Sequence, residues 1–100
     1  MAVVMEMIWS EIDLGHYDQA REGVRWEEEP PEGAIFHVAW MGDDGVHVVD
    51  VWESEEAFNK FAEERLMPAV KGQLGIPGEP KVKFSRAHRM FDALHGHARS

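Results

Sequence analysis

This sequence predicts an α+β fold with the element order β-α-β-β-α-β, on three observations. Apolar runs of strand length recur at residues 2–9, 34–41, 46–52 and 81–88. Helical spacing of apolar residues follows Asp13 and again follows Ser54. The stretch "GDDG" at 42–45 separates the second and third strands with residues that suit a tight hairpin.

Taken in order, "AVVMEMIW" reads as a first strand buried on both sides, with Glu6 the single charge in it. Asp13 is a good N-cap for a helix carrying Leu14, Tyr17, Ala20, Arg21 and Val24 at three- and four-residue steps. "RWEEEPPEG" ends that helix, since paired prolines cannot continue it and Gly33 reopens the chain. Strands "AIFHVAWM" and "VHVVDVW" form the hairpin. Ser54 caps a second helix, Glu55 and Glu56 complement its dipole, and Phe58, Phe61, Ala62, Leu66, Ala69 and Val70 form its inward stripe. Pro68 should kink or restart it, because proline disfavours helical geometry at Met67. "KVKFSRAH" is the fourth strand. Residues 1–88 make one domain, and 89–100 are expected to be a short amphipathic tail.

That order is the split βαβ of ferredoxin-like folds: a four-stranded antiparallel sheet with two helices on one face. Strands one to three are apolar on both faces, so the uncovered face would expose more apolar surface than a soluble monomer tolerates. A homodimer is expected, with the two sheets packed face to face and a small-ligand space between them.

Bulk properties exclude several functions. Ten Lys and Arg stand against 19 Asp and Glu, for a net charge of -9, which argues against nucleic acid and against an anionic membrane surface. There is no cysteine, so disulfides and thiolate chemistry are excluded. No apolar run approaches the roughly 20 residues of a membrane span. The start "MAVVMEMIWSEID" lacks the pattern of a signal peptide, and the location expected is cytoplasmic.

If "GDDG" is a four-residue loop, Met41 lies opposite Val46, Ala39 opposite Val48, His37 opposite Asp50 and Ile35 opposite Trp52. One face then carries Ile35, His37, Ala39, Val48, Asp50 and Trp52, and has the look of a pocket lining. The other carries Phe36, Val38, Trp40, His47, Val49 and Val51; being bulkier, it suits the helix-packed core, with His47 a satisfied core histidine. A carboxylate beside an imidazole holds one tautomer and makes a better general base. Trp52 would offer a flat wall to an aromatic substrate. The alternative is a cross-strand pair that only satisfies two polar groups at a dimer interface. Glu6 is either a pocket acid or the partner of a lysine near an edge, Tyr17 either a ligand contact or a core aromatic, and His88 could reach the pocket mouth. The six histidines show no metal-binding spacing, and "HGH" at 95–97 offers incidental metal binding at most. No nucleotide-binding loop or nucleophile elbow occurs.

"VWESEEAFNKF" resembles the strand-to-helix segment W-E-S/D-x-E-x-F of the antibiotic biosynthesis monooxygenase superfamily, dimeric α/β-barrel proteins that include cofactor-independent and haem-degrading members. The run from Gly33 to Val70 also resembles a small actinobacterial-type group in that superfamily. The resemblance covers nearly all of 2–88 and implies the dimeric α/β barrel. It matches Trp52 to a tryptophan lining the barrel pocket. Haem-degrading members have a histidine on the following helix and an asparagine in the first strand; here "KFAEERL" has no histidine, and Glu6 and Met7 stand where the asparagine would be, which argues against haem degradation.

The function expected is therefore that of a dimeric barrel binding a small aromatic or polyketide-like molecule. As an enzyme it would be a cofactor-independent monooxygenase, His37 oriented by Asp50 taking a phenolic or carbon-acid proton beside Trp52. An isomerase or cyclase of the same fold, and a noncatalytic ligand-binding or structural dimer, are the alternatives. No cofactor and no metal are expected.

Overall fold

The computed structural model describes residues 2–94 and the backbone of 97–99. Four strands form one antiparallel sheet: β1 (Val3–Trp9), β2 (Ala34–Gly42), β3 (Gly45–Trp52) and β4 (Lys81–Arg86), in the order β2-β3-β1-β4. The two helices expected are present as α1 (Leu14–Val24) and α2 (Glu55–Phe61), the latter continuing through π-helical turns at Ala62–Leu66 and Pro68–Gln73. This is the β-α-β-β-α-β arrangement that the pattern of the chain predicts.

Local chemistry explains the ends of each helix. The Asp13 side chain accepts from the His16 backbone N–H while the His16 imidazole accepts from the Asp13 N–H, a reciprocal cap. The Ser54 hydroxyl accepts from the Ala57 N–H, with Glu55 and Glu56 in the first turn. Arg65 Nη2 donates to Val24 O at 3.0 Å and so satisfies a carbonyl at the C-terminal end of α1. The helix restarts at Pro68, as expected, although Met67 before it does not leave helical geometry. Met67 keeps helical geometry (φ -66°, ψ -39°), and the second π-helical stretch begins at Pro68, where the missing N–H falls in a first turn.

The hairpin holds the expected register, with His37 opposite Asp50, Ala39 opposite Val48 and Met41 opposite Val46. Gly45 has φ +122°, and a Cβ there would sit 2.4 Å from the Trp9 carbonyl oxygen, so the start of β3 requires glycine. One pair differs. Ala34, not Ile35, faces Trp52, because the register shifts between Ala34 and Phe36 and leaves Ile35 in a bulge.

The assignment of the two faces is the larger correction. Met5, Met7, Trp9, Val46, Val48, Asp50 and Trp52 are buried, together with Ala20 and Val24 of α1 and Phe58 and Phe61 of α2. The face carrying His37 and Asp50 is thus the one the helices cover. The face expected to be the core looks outward: Phe36 is 60% exposed, Trp40 44% and Val38 42%. Strand β1 is correspondingly one-sided, and Glu6 is exposed on the outer face between Val49 and Lys83. His47 is no core histidine; it is half-buried, with Nε2 2.5 Å from Asp44 and its ring stacked on Trp40. The tail is not a simple amphipathic piece, since Met90–Asp92 pairs with His97–Arg99 in a two-stranded ribbon. His95 and Gly96 of the "HGH" segment lie outside the described residues.

Candidate active site

Between the covered sheet face and the helices lies a cavity of about 420 Å³. It lies within the single chain, whereas the sequence had suggested a space between two sheets. Its walls are mostly apolar, among them Met5, Met7, Trp9, Phe58 and Phe61. A site of that size suits one small molecule and offers few polar groups to orient it.

Those polar groups form a chain. Tyr17 Oη lies 2.6 Å from His37 Nε2, His37 Nδ1 lies 2.5 Å from Asp50 Oδ1, and Trp52 Nε1 donates to Asp50 Oδ2 at 3.0 Å. The donors and acceptors fix its direction. An ionised carboxylate only accepts, so Nδ1 carries the proton toward Asp50 and Nε2 is left to accept from the Tyr17 hydroxyl. Burial is graded along it: the His37 side chain is 33% exposed and that of Asp50 8%. The indole donor and the imidazole together compensate a carboxylate that would be costly to bury alone.

Each member comes from a different local rule. Helical spacing points Tyr17 inward from α1, and the paired register of β2 and β3 brings His37 to Asp50. Strand alternation then places Trp52 beside Asp50 on the same face, where its ring packs edge-on against Phe58 at 5.5 Å. Tyr17 is held neutral. Its pKa is pushed up to about 12, first by desolvation and then by the nearby carboxylate of Glu27, with a smaller contribution from Asp50.

Of the residues singled out beforehand, His37, Asp50, Trp52, Tyr17 and Ile35 all line the cavity. Glu6 does not, because the pleat turns it to the outer face opposite Lys83. His88 does not line it either; it is exposed beyond the end of β4. The residues missed follow α1. Arg25 adopts a left-handed conformation (φ 62°) as its C-terminal cap, and the chain then brings Trp26, Glu27, Pro30 and Pro31 to the cavity. The Trp26 ring lies 5.6 Å from Tyr17 and 5.5 Å from His37. The trace of this in the sequence is a tryptophan in an acidic, proline-containing loop.

Chemically, the chain can accept a proton at the Tyr17 end while Asp50 stabilises the imidazolium formed at His37. Among the described residues, no group of three or more His, Cys, Asp or Glu side chains could hold a metal ion. No described helix is long and apolar enough to cross a membrane.

Fold and cavity together define a ferredoxin-like α+β protein with a hydrogen-bonded Tyr17–His37–Asp50 chain at an apolar cavity. Several solved structures share this fold. SnoaB, a cofactor-independent oxygenase from Streptomyces nogalater, superposes with a TM-score of 0.60 at 11% identity, over 87% of this chain and 92% of its own. A protein assigned as an antibiotic biosynthesis monooxygenase from Deinococcus radiodurans gives 0.57 at 10% identity, over 92% and 97%. One assigned as a monooxygenase from Shewanella loihica PV-4 gives 0.58 at 15% identity, over 89% and 96%. This chain shares its fold with these three proteins, the fold that the resemblance of the segment around Trp52 implied. No family model matches the chain, and no curated protein matches it.

Proposed function

We propose that this protein is a cofactor-independent monooxygenase acting on a small aromatic or polyketide-like molecule with a weakly acidic C–H or O–H. The observation that carries the reading is the Tyr17–His37–Asp50 chain opening onto an apolar cavity. SnoaB, which shares the fold, is a cofactor-independent oxygenase, and this supports the reaction type without fixing the substrate.

In the reaction, the substrate proton passes to the Tyr17 oxygen as the Tyr17 proton passes to His37 Nε2. The transfer is concerted, because a phenol with its pKa raised to about 12 does not wait as a phenolate. The substrate carbanion reduces dioxygen by one electron, and the radical pair combines to a C–O bond, giving a hydroperoxide anion that regains a proton. Loss of water then converts the original methylene to a carbonyl. One dioxygen is consumed, with one oxygen atom in the product and one in water. Trp52 stays bound to Asp50 throughout and holds its carboxylate toward His37.

The protein acts as a homodimer through its outer sheet face. Phe36, Val38 and Trp40 are exposed there beside Val49 and Val51, a patch that a second copy of the same sheet would cover.

A second reading, a noncatalytic binding protein, is favoured by one observation: every polar atom of the chain from Tyr17 to Asp50 already has a partner inside the protein. Oxygen uptake with dithranol, a hydroxylated tricyclic ketone bearing an acidic methylene, separates the two. The enzyme accelerates uptake over the spontaneous rate, and His37→Ala abolishes the acceleration while the circular dichroism spectrum is retained. Uptake at the spontaneous rate with the wild-type protein would leave only the binding reading.

A further inference from the structure

The charged groups of the cavity are of one sign. Among the described residues that line it, Asp50 and Glu27 carry carboxylates, and there is no lysine or arginine. Asp50 is held by the His37 imidazole and the Trp52 indole, whereas Glu27 has no part in that chain. In the resting chain the imidazole is neutral, since Nε2 accepts from the Tyr17 hydroxyl. A ligand that arrives with a negative charge therefore meets two carboxylates and no cation.

Arg21 does not cancel the charge of Glu27. Its guanidinium lies 3.8 Å from the Glu27 carboxylate, but it also lies 3.6 Å from Asp18 and 4.0 Å from Glu22, one cation among three carboxylates. Tyr17 registers the outcome within the cavity wall. Burial is the first cause that raises its pKa to about 12, and Glu27 is the next, ahead of the opposing pull of Arg21. The Glu27 side chain is 59% exposed, which sets this charge at the cavity mouth, where an entering molecule must pass it.

We propose that Glu27 is a specificity-determining residue that bars anions from the cavity, so that the site takes its ligand uncharged: a weak acid still protonated at neutral pH, and not a carboxylate, sulfonate or phosphate ester. This rests on the reading of the cavity as a ligand site and deepens it by naming the charge state of the substrate class. The selection acts on entry and not on the chemistry. An anion brought in from water gives up hydration and gains a like-charged neighbour. An anion formed inside comes with its own counterion. The proton that leaves the substrate arrives on His37 Nε2 by way of Tyr17, the electron pair stays on the substrate, and the total charge of the site does not change.

Two probes of one skeleton and similar size test this, naphthalene-2-carboxamide, which is neutral, and naphthalene-2-carboxylate. Calorimetry at neutral pH and low salt should show the wild-type protein binding the amide more tightly than the carboxylate. Glu27→Gln is expected to strengthen carboxylate binding roughly 3- to 10-fold, the size of one partly screened charge contact, and to leave amide binding unchanged. Added salt should move the wild-type affinity for the carboxylate toward that of Glu27→Gln. Glu28→Gln removes the same charge from an exposed neighbour that does not line the cavity, and should alter neither affinity. Carboxylate binding unchanged in Glu27→Gln, or a gain from Glu28→Gln that matches it, would overturn the proposal. An amide that does not bind the wild type would overturn it together with the reading of the cavity as a ligand site. None of these measurements depends on turnover, so oxygen uptake at the spontaneous rate removes the oxygenase reading alone, and an unselective cavity removes this proposal alone.

Discussion

His37 and Asp50 face each other across β2 and β3, with Nδ1 2.5 Å from Oδ1, and the second carboxylate oxygen is held by the Trp52 indole at 3.0 Å. One carboxylate thus fixes both the tautomer of the imidazole and the position of the aromatic wall. Removing any of the three disturbs the other two.

Asp50→Asn keeps the volume and leaves an oxygen for Trp52, but a neutral amide no longer stabilises an imidazolium. Oxygen uptake is expected to fall about 10²- to 10⁴-fold, the usual contribution of a positioned acid–base group, with the fold retained. A stopped or polarographic assay of the purified variant measures it; activity within a few-fold of wild type would remove Asp50 from the mechanism.

Trp52→Phe leaves Asp50 Oδ2 without its donor in a buried setting. A loss of about 1–3 kcal/mol is expected, the penalty for an unsatisfied buried polar group. Urea denaturation followed by circular dichroism gives the number directly.

Tyr17 makes stability depend on pH at the alkaline end. Its folded-state pKa, about 12, lies above the ordinary 10.0, so the fold favours the neutral phenol. That contribution is complete below pH 10 and is lost as pH rises from 10 through about 12, because the unfolded chain ionises first. Tyr17→Phe should therefore flatten the decline of unfolding free energy over that interval. Parallel slopes in the two proteins would show that the phenol is not held as described.

Gly45→Ala tests the hairpin. The positive φ costs about 1–3 kcal/mol for a residue with a side chain, and the added carbon meets the Trp9 backbone at 2.4 Å, where nothing flexible can yield. A loss at or beyond the upper end of that range is expected by chemical denaturation.

Val38→Glu puts a charge in the middle of the exposed apolar face, opposite Val49. Sedimentation equilibrium should show a dimer for the wild type and a monomer for the variant. An unchanged mass would place any self-association elsewhere.

Much of this molecule is determined by short-range pattern. The order of elements, the caps at Asp13 and Ser54, and the pairing of His37 with Asp50 follow from hydrophobic period and turn chemistry, both of which are local. Alternation also sets which residues share a face. It does not say which face the helices cover when both are apolar, and size misleads here: Phe36, Val38 and Trp40 form the bulkier set yet face outward. Only the packing of α1 and α2 decides that, and it moves the cavity inside the chain while excluding Glu6. The bulge at Ile35 lies beside a contact made after the hairpin, where the Glu53 N–H donates to the Gly33 carbonyl at 2.8 Å. Tyr17 of α1 and Trp26 of the loop after it meet His37 through tertiary packing, and no periodicity within a single strand or helix encodes such a meeting. The sequence alone determined the pieces and the pairing within the hairpin; tertiary packing decided which side became the site, because burial is a property of the assembled layers and not of any one of them.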